Sequence, residues 1–222
     1  MKIPKLTKFL IAMLAIYLSL SVTAAADAIT IDFTDDAWEA VDWPVLRTSY
    51  TIGDVTVTAT TATTGNPKLW HDSIDGIGIR LSYEADEIES QEILQVSFAS
   101  SINLNTIRVS DLFYESRSGH WYNEIGYYSL NNGGSWTSFT APNANLPSPT
   151  TNGEFSIAIG GIDTNSIWLK APGYVNVNGY RQDHEFSLQR LEISQVPEPS
   201  TLLLLGSGLI GLAMFGKKRL PK

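Results

Sequence analysis

Hydrophobic and polar residues alternate with a period of two through much of the middle of the chain. Ile29-Thr30-Ile31-Asp32-Phe33 and Val55-Thr56-Val57-Thr58-Ala59 are the clearest cases. Such alternation sends successive side chains to opposite faces of a strand. Further strands are predicted over 76–82, 93–98, 107–113, 126–130, 136–139, 155–159, 166–170 and 185–194. Asn131-Asn132-Gly133-Gly134 is a strong turn signal between two of them. No capped amphipathic run of helical length occurs between Asp27 and Val196, and a short helix fits only over 35–41 or 84–91. Nine or ten short strands with frequent turns predict an all-β fold, a single β-sandwich of jelly-roll type over 27–195. A parallel β-helix would need a recurring coil repeat, which the chain lacks. The Pro- and Asn-rich stretch 142–153 reads as a loop within the domain, because strand patterning resumes at Glu154.

The two ends break this pattern. Lys2, Lys5 and Lys8 precede an uncharged apolar run from Phe9 to Val22. Small residues follow, offering cleavage after Ala26 or after Ala28. This order of charge, apolar core and small residues predicts a secretory signal peptide, assigned to 1–26. At the other end, Pro197-Glu198-Pro199 punctuates the domain, since neither proline can continue a strand or helix interior. Behind it runs an apolar stretch to Phe215, then Gly216 and the basic cluster Lys217-Lys218-Arg219. As a helix, 199–216 would be about 27 Å long, near the lower limit for a hydrocarbon core of about 30 Å. A transmembrane helix over 200–216 is therefore expected, with the basic cluster cytoplasmic and the body outside.

Pro197-Glu198-Pro199, the apolar helix and Lys217-Lys218-Arg219, in this order, resemble the PEP-CTERM sorting signal of Gram-negative bacteria; the resemblance covers 196–222. It implies recognition by exosortase, a membrane-embedded transpeptidase-like enzyme. It also implies export to the cell surface or extracellular matrix, in company with exopolysaccharide production. The same tail is sometimes labelled an ice-binding protein C-terminal domain. Asp75-Gly76-Ile77-Gly78-Ile79, Asp86-Glu87-Ile88-Glu89 and Glu92 to Phe98 are similar to the bodies of many PEP-CTERM cargo proteins, which generally lack an assigned activity.

Charge sharpens the picture. The 222-residue chain has a formal net charge of −8, but 7 of its 15 basic residues lie in the two ends. The body from Asp27 to Val196 holds 8 basic and 22 acidic residues, a net charge of −14. Such a body repels nucleic acid and anionic lipid and favours cations or neutral glycans. The absence of cysteine excludes disulfides, thiolate metal sites and a cysteine nucleophile.

Three chemistries deserve a place. Asp86, Glu87 and Glu89 lie in an acidic stretch that could supply oxygen ligands to a structural calcium, the one cofactor considered. Aromatics crowd 113–136, where Trp121 and Tyr122 are expected in a loop, with Asn123 and Glu124 as polar partners for a sugar. Tyr127 and Tyr128 would point to opposite faces. Paired carboxylates also admit a glycan-acting hydrolase, although no spacing singles out a pair. His71, His120 and His184 show no metal-binding or triad spacing and are expected on the surface or in loops. The row Thr56, Thr58, Thr60 reads as ordinary β-propensity. The expected function is that of a non-enzymatic exported protein of the surface or matrix. A matrix lectin is the alternative, and a hydrolase the third reading.

Overall fold

The computed structural model describes residues 28–41, 46–61, 65–81, 87–89, 92–117, 119–143, 146–147, 152–173, 175–177 and 179–195, with Gly206, Gly208 and Leu209. The expected signal peptide, the Pro197-Glu198-Pro199 motif and the Lys217-Lys218-Arg219 cluster lie outside these residues. So does the expected membrane helix, apart from Gly206, Gly208 and Leu209, which are helical. No helix among the described residues is long and apolar enough to cross a membrane.

The body, Ala28–Glu198, is one compact unit. Its strands are β1 (Ala28–Asp32), β2 (Ser49–Ile52), β3 (Val55–Thr61), β4 (Lys68–Asp72), β5 (Gly76–Arg80), β6 (Glu92–Ser110), β7 (Tyr114–Arg117), β8 (His120–Asn123), β9 (Ile125–Ser129), β10 (Thr137–Thr140), β11 (Phe155–Lys170), β12 (Val175–Val177), β13 (Tyr180–Gln182) and β14 (Ser187–Gln195). A short 3-10 helix, Asp36–Val41, fills the first of the two expected helical stretches. Its Trp38 packs against Phe33 at 5.0 Å between ring centroids.

Two strands predicted at either side of a gap are in fact one. Segments 93–98 and 107–113 merge largely into β6, of 19 residues, and 155–159 and 166–170 merge into β11, of 16. Each crosses both halves of a curled antiparallel sheet. The first half of β6 pairs with β3 and with the end of β11, and the second half pairs with the start of β11 and with β14. Strands β9 and β10 extend the first half beyond β11. On the other half, β14 carries β1 and β5 along its second edge. Ala28 stands opposite Ser194, so the body's first and last strands lie side by side.

The curl follows from two devices. Ala99, Ser100 and Ser101 of β6 are exposed at the bend, and register shifts there and at Gly160-Gly161 bend β11 with it. Both glycines have φ of +81°, a conformation that side chains with a Cβ resist. Asn105 is the second device. Thr106 pairs with Glu192 and Leu104 with Ile193, leaving Asn105 as an extra residue on β6. The bulge switches parity, so that Leu94, Val96, Ile102 and Leu104 point inward before it and Ile107 and Val109 after it. The two inner faces then close on one core, in which Ile167, Leu169, Leu188, Leu191, Ile77 and Ile79 are completely buried.

Candidate functional site

The residues expected to bind sugar lie in a hairpin and not in a loop. Strands β7 and β8 pair Tyr114 with Asn123, Glu115 with Tyr122, Ser116 with Trp121 and Arg117 with His120. Gly119, at φ +79°, serves the two-residue turn between them. Because these are strands, alternation divides the expected quartet. Trp121 and Asn123 share the outer face with Tyr114 and Ser116. Tyr122 and Glu124 point inward and are buried, at 6% and 1% exposure, which corrects the expectation that they meet a ligand.

On the outer face Trp121 is 55% exposed. It stacks on Tyr114, with centroids 5.0 Å apart and planes inclined by 27°. Asn123 is fixed beside them, since its amide nitrogen donates to Ala141 O and to Asn143 Oδ1, both at 2.7 Å. That leaves its amide oxygen as an acceptor. The residues of this face are uncharged.

A second hairpin adjoins the first. Strands β12 and β13 pair Val175 with Gln182 and Val177 with Tyr180, and Gly179, at φ +84°, lies between them. The ring of Tyr180 lies 3.7 Å from that of His120, centroid to centroid. Tyr180 and Val175 are exposed, so the paired hairpins carry a broken ridge of rings. Sequence reasoning missed this hairpin, although the Asn178-Gly179 dipeptide between alternating apolar residues is a signal that could have found it. Its approach to β7–β8 is a long-range contact that no local pattern encodes.

Beneath the hairpins the chemistry changes. Glu124 Oε2 accepts the backbone N–H of Phe113 at 2.6 Å. Burial above all, helped by the neighbouring Glu115, Glu185 and Glu87, pushes the Glu124 carboxyl up to about 10 against the pull of the Phe113 N–H. Glu124 is therefore a neutral acid at physiological pH, sealed from any solvent-borne substrate. The Tyr122 hydroxyl donates to Glu115 Oε2 at 3.3 Å. The Tyr122 ring meets His184 edge-on, at 5.8 Å and 89°. His184 accepts the Ile125 N–H at Nδ1, 3.3 Å away, and burial lowers its pKa, so it is neutral. Two of the three histidines thus depart from the surface expectation. His184 is buried under the hairpin, and His71 is buried because β4 is a strand that turns it inward alongside Leu69. His120 is exposed at the hairpin tip.

The calcium candidates are not brought together as a described set. Asp86 lies outside the described residues, Glu87 is half-buried near Glu124, and the Glu89 N–H donates to Glu92 Oε2 at 2.9 Å. Among the described residues no three acidic or histidine side chains are placed to hold a metal ion. Glu92 is itself buried, and burial together with Glu89 drives its pKa to about 8. An open depression of about 380 Å³ lies at the bend beside Ser100, Ser101, Leu130 and Asp163, beyond the far end of β9 from the hairpins. None of the expected site residues lines it.

Comparison with known proteins adds the following. No curated protein matches the chain. Among solved structures it is similar to CBM32-3 from a family 31 glycoside hydrolase of Clostridium perfringens, at 13% identity and a TM-score of 0.26, covering 65% of this chain and 78% of that one. The model of the PEP-CTERM protein-sorting motif matches residues 195–219. That motif begins at the last residue of β14, and the all-β chain that carries it is a PEP-CTERM domain-containing protein, marked for export.

Proposed function

We propose that this exported protein serves, without catalysis, as a glycan-binding component of the cell surface or matrix, and that the outer face of the β7–β8 hairpin makes the contact. The observation that carries the reading is the exposure of Trp121, held flat against Tyr114 and flanked by Ser116 and Asn123. An indole of this size is normally buried, and leaving it in water forgoes a large apolar gain. A sugar ring offers an apolar C–H face to the indole and hydroxyls to the neighbouring amide and hydroxyl groups. The lack of charge on this face, on a body of net charge −14, favours a neutral glycan. The export signal supplies the setting, with exosortase-type processing as the route to it.

The test is affinity electrophoresis of the chain through gels containing neutral polysaccharides, with Trp121→Ala and Asn123→Ala alongside. Retardation by at least one polysaccharide is expected, with a loss of about tenfold in affinity for Trp121→Ala, equivalent to ~1.4 kcal/mol. Equal retardation of the wild type and Trp121→Ala would show that the platform is not the binding site.

A further inference from the structure

The two outer faces of the curled sheet are built differently. On the half formed by β1, β14 and the second half of β6, charged side chains are ion-paired or hydrogen-bonded across the strands. Arg190 meets Asp32 at 2.9 Å, Arg108 pairs with Glu154, and Thr106 donates to Glu192 at 2.9 Å. That is an ordinary solvated surface. The outer face of the other half, across β3, β6, β11 and β9, carries one charged side chain among its described residues, Lys170. Among the described residues no carboxylate stands on it, although acids outnumber bases 22 to 8 in the body.

What replaces charge there is aromatic and hydroxyl surface. Cross-strand partners share a face, so the register Trp168↔Gln95 and Gln95↔Thr58 lays these three side chains in one row. All three are half-exposed, while Leu169, Leu94, Val57 and Ala59 on the same strands fill the core. In the next row Lys170 stands opposite Tyr127. Its ammonium lies 4.1 Å from the Trp136 ring centroid and 5.7 Å from that of Tyr127, which fixes both rings. The Asn131–Gly134 turn folds back over this end of the face. Ser166 Oγ donates to Asn132 Oδ1 at 2.7 Å, and Gly133 sits against Trp136 and Trp168. The result is a polar floor with aromatic rings along one side.

We infer that this face is a second binding surface, which takes a neutral polysaccharide chain lying along the Trp168–Gln95–Thr58 row. The charge pattern selects the ligand. A polyanion is repelled by the acidic body, a polycation finds no carboxylate on the face, and an extended neutral polyol meets rings, an amide and hydroxyls. The surface shares no residue with the Trp121 platform, so each can be removed by substitution without touching the other. The inference shares the glycan reading of the platform but does not depend on the platform itself.

The test is retention of the full chain, in detergent micelles, on three insoluble probes: a β-1,4-glucan, chitin and, as the anionic comparison, polygalacturonate. Trp121→Ala/Tyr180→Ala removes the ridge. This variant is expected to remain bound to a neutral probe, and to lose retention at least tenfold when Trp168→Ala and Gln95→Ala are added. Thr58→Glu, a substitution at a half-exposed position that leaves the core untouched, is expected to cause a similar loss by placing a carboxylate on the face. Urea midpoints of the variants confirm that each is folded. Complete loss with the ridge variant alone would overturn this inference and leave the platform standing, and loss with the face variants alone would do the reverse. No retention of the wild type on either neutral probe, or preferential retention on polygalacturonate, would overturn the inference. So would face substitutions that abolish dimerisation in sedimentation while leaving retention unchanged.

Discussion

Glu124→Gln should make the protein more stable at alkaline pH and flatten its dependence on pH. The carboxyl is 1% exposed and accepts the Phe113 N–H, and burial pushes it up to about 10 in the folded protein from an ordinary 4.5. A folded-state pKa raised in this way gives stability that is complete below the unfolded value and is lost as pH rises towards the folded one. Between those limits the folded chain holds a proton that the unfolded chain releases, a slope of about −1.36 kcal/mol per pH unit. Glu92 has the same sign, but its slope fades as pH passes its own value of about 8. His184 and Asp32, both shifted downward, act in the opposite sense and only at acid pH. From pH 7 to pH 9 the wild type should therefore lose on the order of 3 kcal/mol through Glu124 alone, and Glu124→Gln should be spared that loss. Glutamine keeps an oxygen for the Phe113 N–H and has no proton to release. The assay is urea unfolding of Ala28–Glu198 followed by tryptophan fluorescence at pH 7, 8 and 9. Parallel slopes for the two proteins would refute the buried neutral acid.

Two other predictions concern the frame. Deleting Asn105 removes the bulge and turns Ile107 and Val109 towards solvent, so the chain should fail to fold, read as loss of a cooperative urea transition. Gly133→Ala places a Cβ at φ +77°, and should cost about 1 kcal/mol in urea unfolding; an unchanged midpoint would count against the strained turn.

Much of the fold was legible in the sequence because strand alternation is a local signal. Val55–Thr61 and the turn at Asn131–Gly134 stand where the pattern placed them. The merging of four predicted strands into β6 and β11 was hidden for two different reasons. In β6 the parity change at Asn105 breaks a single period-two reading into two halves. In β11 the Gly160-Gly161 pair reads as a turn, although it is a bend within a continuous strand. At the site, reading 121–124 as loop concealed its alternation, and with it the burial of Tyr122 and Glu124. The same rule had separated Tyr127 from Tyr128 correctly: Tyr128 packs on the core and Tyr127 lies beneath Lys170. Tyr180 pairs with His120 from sixty residues away, and no local pattern encodes a contact of that range.

The position of β14 has a mechanical consequence. This strand is flanked by β6 on one edge and by β1 and β5 on the other, and it ends where the sorting motif begins. A pull transmitted from the tail runs along the axis of β14, across ladders whose hydrogen bonds lie perpendicular to it. Such a load is shared by many bonds at once and does not open them one after another like a zip. Tension applied at the C-terminal end of β14 would thus be spread through the middle of the sheet before it reached the β12–β13 hairpin, which leads into the other end of that strand.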